Sequence, residues 1–132
     1  MKIKEIKIKT FQASIFIGLE IGYTQKKINE NLVIESLKKK KKQLSKEKDI
    51  YLSASISKTV IILNNQKEPH LKIDFINYPK FPISEEIFKD EVLHFGKELM
   101  KQFEQNRILI IYTDETSMLE QSNEIDPRIR GE

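Results

Sequence analysis

Apolar and polar residues alternate in three parts of the chain, and this period of two predicts β-strands. The pattern is clearest in Ile50–Ser57, where apolar side chains alternate with hydroxyl-bearing ones. A fourth stretch, Ile108–Thr113, is a nearly unbroken apolar run, which is typical of a well-covered strand. Lys58–Leu63 either continues the second strand or begins another. The four predicted strands are Phe11–Leu19, Ile50–Ser57, His70–Tyr78 and Arg107–Thr113.

Apolar residues at spacings of three, four and seven predict two helices, Leu32–Leu44 and Ser84–Gln105. In the second helix Ser84 is a good N-cap, and Gly96 lies on the apolar stripe. A glycine inside a helix costs about 1 kcal/mol relative to alanine. Gly96 therefore predicts a close approach of this helix to the sheet. The stripe of the second helix consists of Phe88, Val92, Phe95, Leu99 and Phe103.

The remaining segments are predicted to be connections and ends. Gly18 and Gly22 bracket the first turn, and the prolines of Tyr78–Pro82 make that segment a rigid connector. The segments are an edge strand or ordered arm at Met1–Lys9, a loop at Glu20–Asn31, an exit loop at Ser45–Asp49, a turn at Asn64–Pro69, and a turn with a short edge strand at Asp114–Glu120.

The order of elements predicts an α+β fold, a ferredoxin-like βαββαβ sandwich. Two helices would cover one face of a four-stranded antiparallel sheet whose first and third strands are central, with possible extra N- and C-terminal edge strands. We expect residues 1–120 to form one domain and 121–132 a tail. The uncovered face would carry Phe16, Tyr51, Ile76 and Tyr78. Because exposed apolar faces usually bind something, we expect a homo-oligomer.

The composition excludes some classes of function but does not identify one. The 132 residues include 23 Lys and Arg against 20 Asp and Glu, a formal charge of +3, and only three basic residues are Arg. The chain has no Cys, which excludes disulfides, thiolate metal sites and cysteine nucleophiles. No apolar run approaches the ~20 residues of a membrane span. We expect a cytoplasmic protein, in the host cytoplasm if a phage encodes it, with no membrane partner.

Familiar catalytic motifs are absent from the sequence. It holds no phosphate-binding Gly-rich loop, no His-Glu-x-x-His pair and no His-Cys cluster. His94 falls off the main helical stripe, and His70 opens a strand. Asp114-Glu115 is a possible carboxylate pair, but adjacent residues at a strand end point in different directions, which favours a solvated turn. The sequence therefore predicts no catalytic residue, no metal and no cofactor.

Nucleic-acid binding is also disfavoured. Ile15–Leu19 resembles the first signature strand of RNA-recognition motifs, but His70–Tyr78 lacks the glycine and paired aromatics expected of the other signature strand. The five lysines of Lys38–Lys42 are most simply a solvated helix end.

Polar residues collect at both ends of the predicted sheet. Arg107 opens the apolar strand, where its guanidinium could clamp a phosphate or carboxylate or pair with Glu20 or Glu104. One edge gathers Glu20, Tyr23, Thr24, Asn64, Asn65, His70 and Arg107, and the other gathers Asp74 or Asn77, Tyr78, Lys80, Asp114, Glu115 and Thr116. Either edge could line a pocket.

Three segments, Ile17–Thr24, Ile76–Pro82 and Gln105–Thr116, together resemble small ferredoxin-like proteins of phages and mobile elements. Their general look is similar to anti-Thoeris proteins, which sequester signalling nucleotides. The resemblance implies a non-catalytic oligomer with nucleotide pockets between subunits. Arg107, Tyr23 and Asn77 would be ligand contacts.

The hypothesis from sequence is a non-catalytic homo-oligomer that binds a small anionic, nucleotide-type ligand. The alternative is a protein-interaction module that docks a partner through its exposed sheet face. A small enzyme using His70 with Glu20 or Asp114 ranks third, and nucleic-acid binding last. The expected ligand-binding residues are Glu20, Tyr23, Thr24, Asn65, His70, Asn77, Tyr78, Arg107, Asp114 and Thr116.

Overall fold

A computed structural model describes residues 1–22, 24 and 26–121. The predicted tail lies outside the described residues except for Gln121. Two helices and a five-stranded antiparallel sheet form the α+β sandwich that the pattern predicted. The strands are β1 (Gln12–Gly18), β2 (Glu20–Ile21), β3 (Lys26–Lys27), β4 (Ser53–Leu63), β5 (Gln66–Ile76), β6 (Arg107–Tyr112) and β7 (Thr116–Glu120), and the helices are α1 (Glu30–Lys48) and α2 (Glu85–Gln102).

The main sheet has the order β4-β5-β1-β6-β7, so β1 is central as predicted. β7 adds the C-terminal edge strand, while β2 and β3 form a separate two-stranded hairpin. Alternate residues of each strand point to the helices and build the core. On β1 these are Ala13, Ile15 and Ile17, all at most 1% exposed. The side chains between them face away from the helices, on what we call the open face.

The helices pack on the other face through the predicted stripes. Ser84 caps α2 by accepting a hydrogen bond from the amide of Ile87. The expected close approach at Gly96 is present, because a Cβ there would lie 2.8 Å from Cδ1 of Ile110 on β6. Only a residue without a side chain leaves α2 this close to the sheet.

Helix α1 is longer than predicted, so Lys38–Lys42 lies in its middle and not in its last turns. Two of these lysines are neutralised by neighbours: Lys38 pairs with Glu35, and Lys40 pairs with Glu98 of α2 at 2.8 Å. Burial of Leu44 carries the helix onward to its cap at Asp49.

The hairpin of β4 and β5 also differs from the prediction. Lys58–Leu63 continues β4 in unbroken register, and the turn contains only Asn64 and Asn65. β5 therefore begins at Gln66 and includes Pro69, which the composition had placed in the turn. β1 ends at Gly18 opposite His70, so the proline lies just past the β1–β5 ladder, where its carbonyl oxygen accepts a last hydrogen bond from the amide of Leu19. A proline is tolerated at such a position.

Three smaller predictions need correction. The predicted loop Glu20–Asn31 contains the β2–β3 hairpin, and Met1–Lys9 forms no strand. Tyr51 and Tyr78 do not lie on the open face, because both fall outside the strands and their rings contact Phe81. Phe16 and Ile76 are on the open face as expected, opposite Lys72 and Ser53 respectively.

Candidate functional site

The open face carries a concavity of about 280 Å³ near the ends of β1 and β6. An apolar row crosses three strands at its floor: Phe16 lies opposite Leu109, and Leu109 opposite Met118. Met118 on the edge strand is 54% exposed. The polar lining comes from Glu20, Glu68, His70, Gln105, Asn106 and Arg107. Apolar surface with a few converging polar groups is the usual composition of a small-molecule site.

The backbone of β5 fixes the hydrogen-bonding state of His70. Its Nδ1 lies 3.1 Å from the carbonyl oxygen of Glu68. Because a carbonyl can only accept, Nδ1 carries the proton in this contact. The other ring nitrogen, Nε2, is then the acceptor of neutral His70. This atom approaches Gly18, since a Cβ on Gly18 would lie 3.7 Å from it.

Gln105 forms the rear wall of the concavity and is only 6% exposed. Its Oε1 accepts a hydrogen bond of 2.9 Å from the amide of Gly18. Its Nε2 donates to the carbonyl oxygens of Glu20 at 3.1 Å and Phe103 at 3.0 Å. One buried side chain thus joins the end of β1, the start of β2 and the turn that follows α2.

Arg107 stands at the opposite rim, where its Nε donates to Oε2 of Glu120 at 2.8 Å. The pair is half-exposed and joins facing residues of β6 and β7. The sequence had offered Glu20 or Glu104 as the partner, and neither lies across the ladder from Arg107. A guanidinium carries five N–H donors in a planar fork, a geometry that suits carboxylate groups.

The structure brings only some of the residues expected to bind ligand together. Glu20, His70 and Arg107 come together at the concavity. Thr24 and Asn65 lie in turns and are not among its lining residues. Tyr23 lies outside the described residues. The members at the opposite end of the sheet are Asn77, Tyr78, Asp114 and Thr116.

At that opposite end, Asn77 and Asp114 have structural partners. Asn77 accepts a hydrogen bond from the amide of Phe11 and donates to the carbonyl oxygen of Lys9. Lys89 approaches Asp114 at 2.7 Å and Glu115 at 3.5 Å, and its hydrogen bond holds the pKa of Asp114 below the usual range. Within the described residues no three His, Cys, Asp or Glu side chains are arranged to hold a metal ion.

Glu68 is one of the site residues that sequence reasoning missed, together with Gln105, Asn106, Leu109 and Met118. It stands beside Pro69 in a stretch of turn-like composition, which hid the start of β5. A signal was present, because Glu68, His70, Lys72 and Asp74 repeat with period two and so share the open face.

A wider groove of about 820 Å³ runs between α1 and the β2–β3 hairpin. Three of its polar groups bond to one another: Ser36 donates to Oε1 of Gln102 at 2.6 Å, and Lys40 donates to the same oxygen at 3.5 Å. Since it gathers none of the polar residues that meet at the open face, we take the smaller concavity as the candidate site.

A family model for SAM lyases matches residues 8–119. The chain belongs to the SAM lyase family. Two solved structures of phage SAM lyase are similar to it, each 20% identical in sequence. One, in complex with S-methyl-5′-thioadenosine, covers 95% of this chain and 100% of its own with a TM-score of 0.64. The other, in the apo state, covers 94% and 99% with a TM-score of 0.65. No curated protein sequence matches the chain.

Membership of the SAM lyase family overturns two expectations. The chain was expected to be non-catalytic and, on balance, not an enzyme. Both predictions are wrong, because the family is one of enzymes. The resemblance to small phage proteins with a ferredoxin-like fold is confirmed at that level, since the similar structures are phage proteins. The finer resemblance to anti-Thoeris proteins gains no support. Within the described residues, no helix is long and apolar enough to cross a membrane.

Proposed function

We propose that this protein cleaves S-adenosylmethionine (SAM) and releases S-methyl-5′-thioadenosine. The observation that carries the proposal is the match of the SAM lyase model to residues 8–119. The bound nucleoside of the similar phage enzyme supports the identity of the product. The open-face concavity, with its apolar floor and converging polar groups, is the proposed active site.

The chemistry follows from the substrate. The bond between the sulfonium sulfur and Cγ of the methionine portion breaks, and its electron pair neutralises the sulfur. A lyase uses no water, so two routes remain. Either Cγ forms a new bond to another group of the same molecule, or Cβ loses a proton and a double bond forms between Cβ and Cγ. We propose the first route: the substrate carboxylate attacks Cγ and closes a five-membered lactone. No proton is transferred, which agrees with a site that needs orientation more than a strong base.

The apolar floor has a direct role in this reaction. A negative carboxylate and a positive sulfonium become a neutral ester and a neutral thioether, while the α-ammonium group keeps its charge, so two opposite charges disappear in the transition state. Water stabilises the separated charges, and its exclusion favours the reaction. Phe16, Leu109 and Met118 supply such a surface and a platform for the adenine ring.

The polar rim would then hold the substrate's charged ends. Arg107 is suited to one oxygen of the carboxylate, since it would leave the other free to attack. Glu68 and Glu20 are suited to the α-ammonium group and the ribose hydroxyls, for which carboxylates are acceptors. His70 at Nε2 provides a further neutral acceptor.

Mass spectrometry of the reaction products tests the proposal. Purified protein incubated with SAM should yield S-methyl-5′-thioadenosine and homoserine lactone in equal amounts. Glu68→Gln should lower kcat/KM at least a hundredfold, while the exposed Glu86→Gln on α2 should change it less than twofold. Failure to consume SAM would refute the function. An unsaturated amino acid in place of the lactone would refute only the proposed route.

A homo-oligomer remains our proposal for the working state. The β4–β5 hairpin extends past the end of β1 and exposes Val60, Ile62 and Leu63 by 56%, 65% and 53%. Leu63 lines the shallow concavity, whereas Val60 and Ile62 alternate with it along β4 and face the other side of the hairpin. A second copy that enclosed the end of the hairpin would bury all three side chains and cover the concavity. Because SAM is an intracellular metabolite, we also propose that the enzyme acts in the cytoplasm.

Native mass spectrometry of an interface variant tests the oligomer. Ile62→Asp should lower the oligomer mass and reduce activity in parallel. The same change at Ile87, an exposed residue in the first turn of α2, serves as the control and should alter neither. A wild-type monomer with full lyase activity would contradict this part of the proposal.

A further inference from the structure

Three aromatic side chains form a cluster at the end of the sheet opposite the candidate site. Phe81 is the middle ring, with its centroid 5.0 Å from that of Tyr51 and 6.1 Å from that of Tyr78. The Tyr78 and Phe81 planes are nearly parallel, at 23°. Each side chain is still 45–46% exposed. We call these three residues the aromatic cluster. They offer flat apolar surface to solvent and play no part in the proposed lyase reaction.

A lysine from α1 completes the recess beside these rings. Lys41, half-buried, lines a space of about 240 Å³ together with the cluster, Leu52 and Ser53. Burial lowers the pKa of Lys41, since no carboxylate within the described part of the chain pairs with it. The residues that line the recess therefore provide no negative charge to balance Lys41.

The surroundings of Lys41 are basic. Across residues 1–22, 24 and 26–121, its neighbour Lys42 and Lys80, which lies between Tyr78 and Phe81 in the chain, also make no ion pair, whereas Lys38 and Lys40 do. The nearby carboxylate of Asp49 is engaged, because it accepts a hydrogen bond from the Tyr51 hydroxyl. That bond orients the ring, and although Asp49 keeps its negative charge, this one carboxylate is outnumbered by Lys41, Lys42 and Lys80.

We infer that the aromatic cluster and Lys41 form a second binding site, for single-stranded nucleic acid. Unstacked bases would stack on the exposed rings, and the phosphates would lie along the unpaired lysines of α1 and Lys80. The sequence had argued against nucleic acid because the third predicted strand lacks stacking aromatics. The aromatic cluster supplies stacking rings that do not belong to the sheet, because they lie in the connections before β4 and after β5.

Charge favours this occupant over a second copy of the chain. A two-fold contact through the cluster would bring Lys41 and its unpaired neighbours of both copies together, and the single Asp49 carboxylate of each copy would not balance their charge. Like charges facing each other at an interface are unfavourable. A polyanion instead neutralises the lysines and releases counterions when it binds.

Fluorescence anisotropy with a labelled twelve-nucleotide oligothymidine tests the inference on the full chain. Binding should be saturable at 50 mM salt and weaken as salt rises. Phe81→Ala should weaken it roughly tenfold, since stacking contributes about 1–3 kcal/mol per base. Lys41→Gln should weaken it and reduce the slope of log K against log salt by about 0.7, the loss of one phosphate contact.

Matched controls separate a site from general charge. Lys67→Gln removes an equal charge at the far end of β5, so oligonucleotide affinity should stay within twofold. Phe81→Leu keeps the apolar volume, so an unchanged melting temperature with weakened binding would isolate the stacking. Lyase activity should be unaffected by the Phe81 and Lys41 variants.

Three outcomes would overturn the inference. One is the absence of saturable binding at 50 mM salt. Another is equal weakening by Phe81→Ala and Lys67→Gln, which would mean attraction without a site. The last is a lower oligomer mass for Phe81→Ala, which would make the cluster a contact between copies.

Discussion

The amide of Gly18 donates a 2.9 Å hydrogen bond to Oε1 of Gln105. The two residues lie far apart in the chain, and the bond joins the end of β1 to the turn before β6. A side chain at position 18 would crowd this contact, because a Cβ on Gly18 would lie 2.9 Å from the same Oε1. The rear wall of the candidate site therefore depends on one amide side chain and on the absence of another side chain.

Replacement of Gln105 by leucine should lower both stability and activity. The change leaves the Gly18 amide and the Glu20 carbonyl without their partner, and each buried unpaired group costs about 1–3 kcal/mol. We expect a loss of about 2–3 kcal/mol in the free energy of unfolding, measured by urea denaturation. Gln105→Glu keeps the acceptor for Gly18 but places a buried carboxylate against the carbonyl oxygens of Glu20 and Phe103, so near neutral pH it should lose at least as much stability as the leucine variant. Equal stability of all three proteins would contradict the role assigned to Gln105.

The site was harder to predict from sequence than the fold for a physical reason. Phe16, Leu109 and Met118 become neighbours only through strand pairing, and Glu68 was concealed by turn-like composition next to Pro69. The proposed reaction also explains the missing motifs. When the substrate carries its own nucleophile and leaving group, the enzyme needs no triad, metal or phosphate loop. The absence of such motifs was wrongly taken as an argument against an enzyme.

Gly96 is a case in which sequence alone predicted a tertiary contact. Alanine there should gain about 1 kcal/mol of helix propensity. Overpacking against Ile110 and Leu119, 2.8 and 3.3 Å from the new Cβ, costs about 1–3 kcal/mol. We expect Gly96→Ala to lower the melting temperature by a few degrees in calorimetry. Ile110→Val removes the nearest methyl group, so the double variant should be more stable than the sum of the two single changes predicts. Strict additivity would show that the contact does not limit the helix.

The hydrophobic periodicity of the sequence was enough to predict the fold, but it did not predict where each helix and strand ends. The hydrophobic periods identified both helices and the four strands of the expected sandwich. Burial of Leu44 and the ion pair of Lys40 with Glu98 extend α1 through the lysine run, and neither could be read from a run of like charges. Tertiary contacts decided these boundaries.

Arg107 and Glu120 allow substrate binding to be separated from strand pairing. Arg107→Met should raise KM for SAM about tenfold, which corresponds to one charged hydrogen bond. Because the pair is half-exposed, the free energy of unfolding should change by less than about 1 kcal/mol. Glu120→Gln breaks the same ion pair and keeps the guanidinium, so its KM should stay within threefold. Similar KM values for the two variants would assign the effect to the pair and not to Arg107.

Acid should weaken the contact between the helices through Glu98. Its carboxylate lies 2.8 Å from Nζ of Lys40 on α1 and 2.7 Å from Nε2 of His94 on α2. The hydrogen bond from Lys40, followed by the charges of Lys40 and His94, holds the pKa of Glu98 below 4.5 in the folded protein. The unfolded chain then binds a proton that the folded protein does not, so stability falls as the pH drops below 4.5 and through the lowered pKa.

Urea midpoints measured between pH 3 and 7 would reveal the contribution of Glu98 to the pH dependence of stability. Glu98→Gln should be less stable than wild type near neutral pH and lose less stability on acidification. Lys40→Met removes the largest cause of the pKa shift and should flatten the acid limb in the same way. If both variants kept the wild-type slope below pH 4.5, other carboxylates would govern acid unfolding, and the contact of the helices would not depend on Glu98.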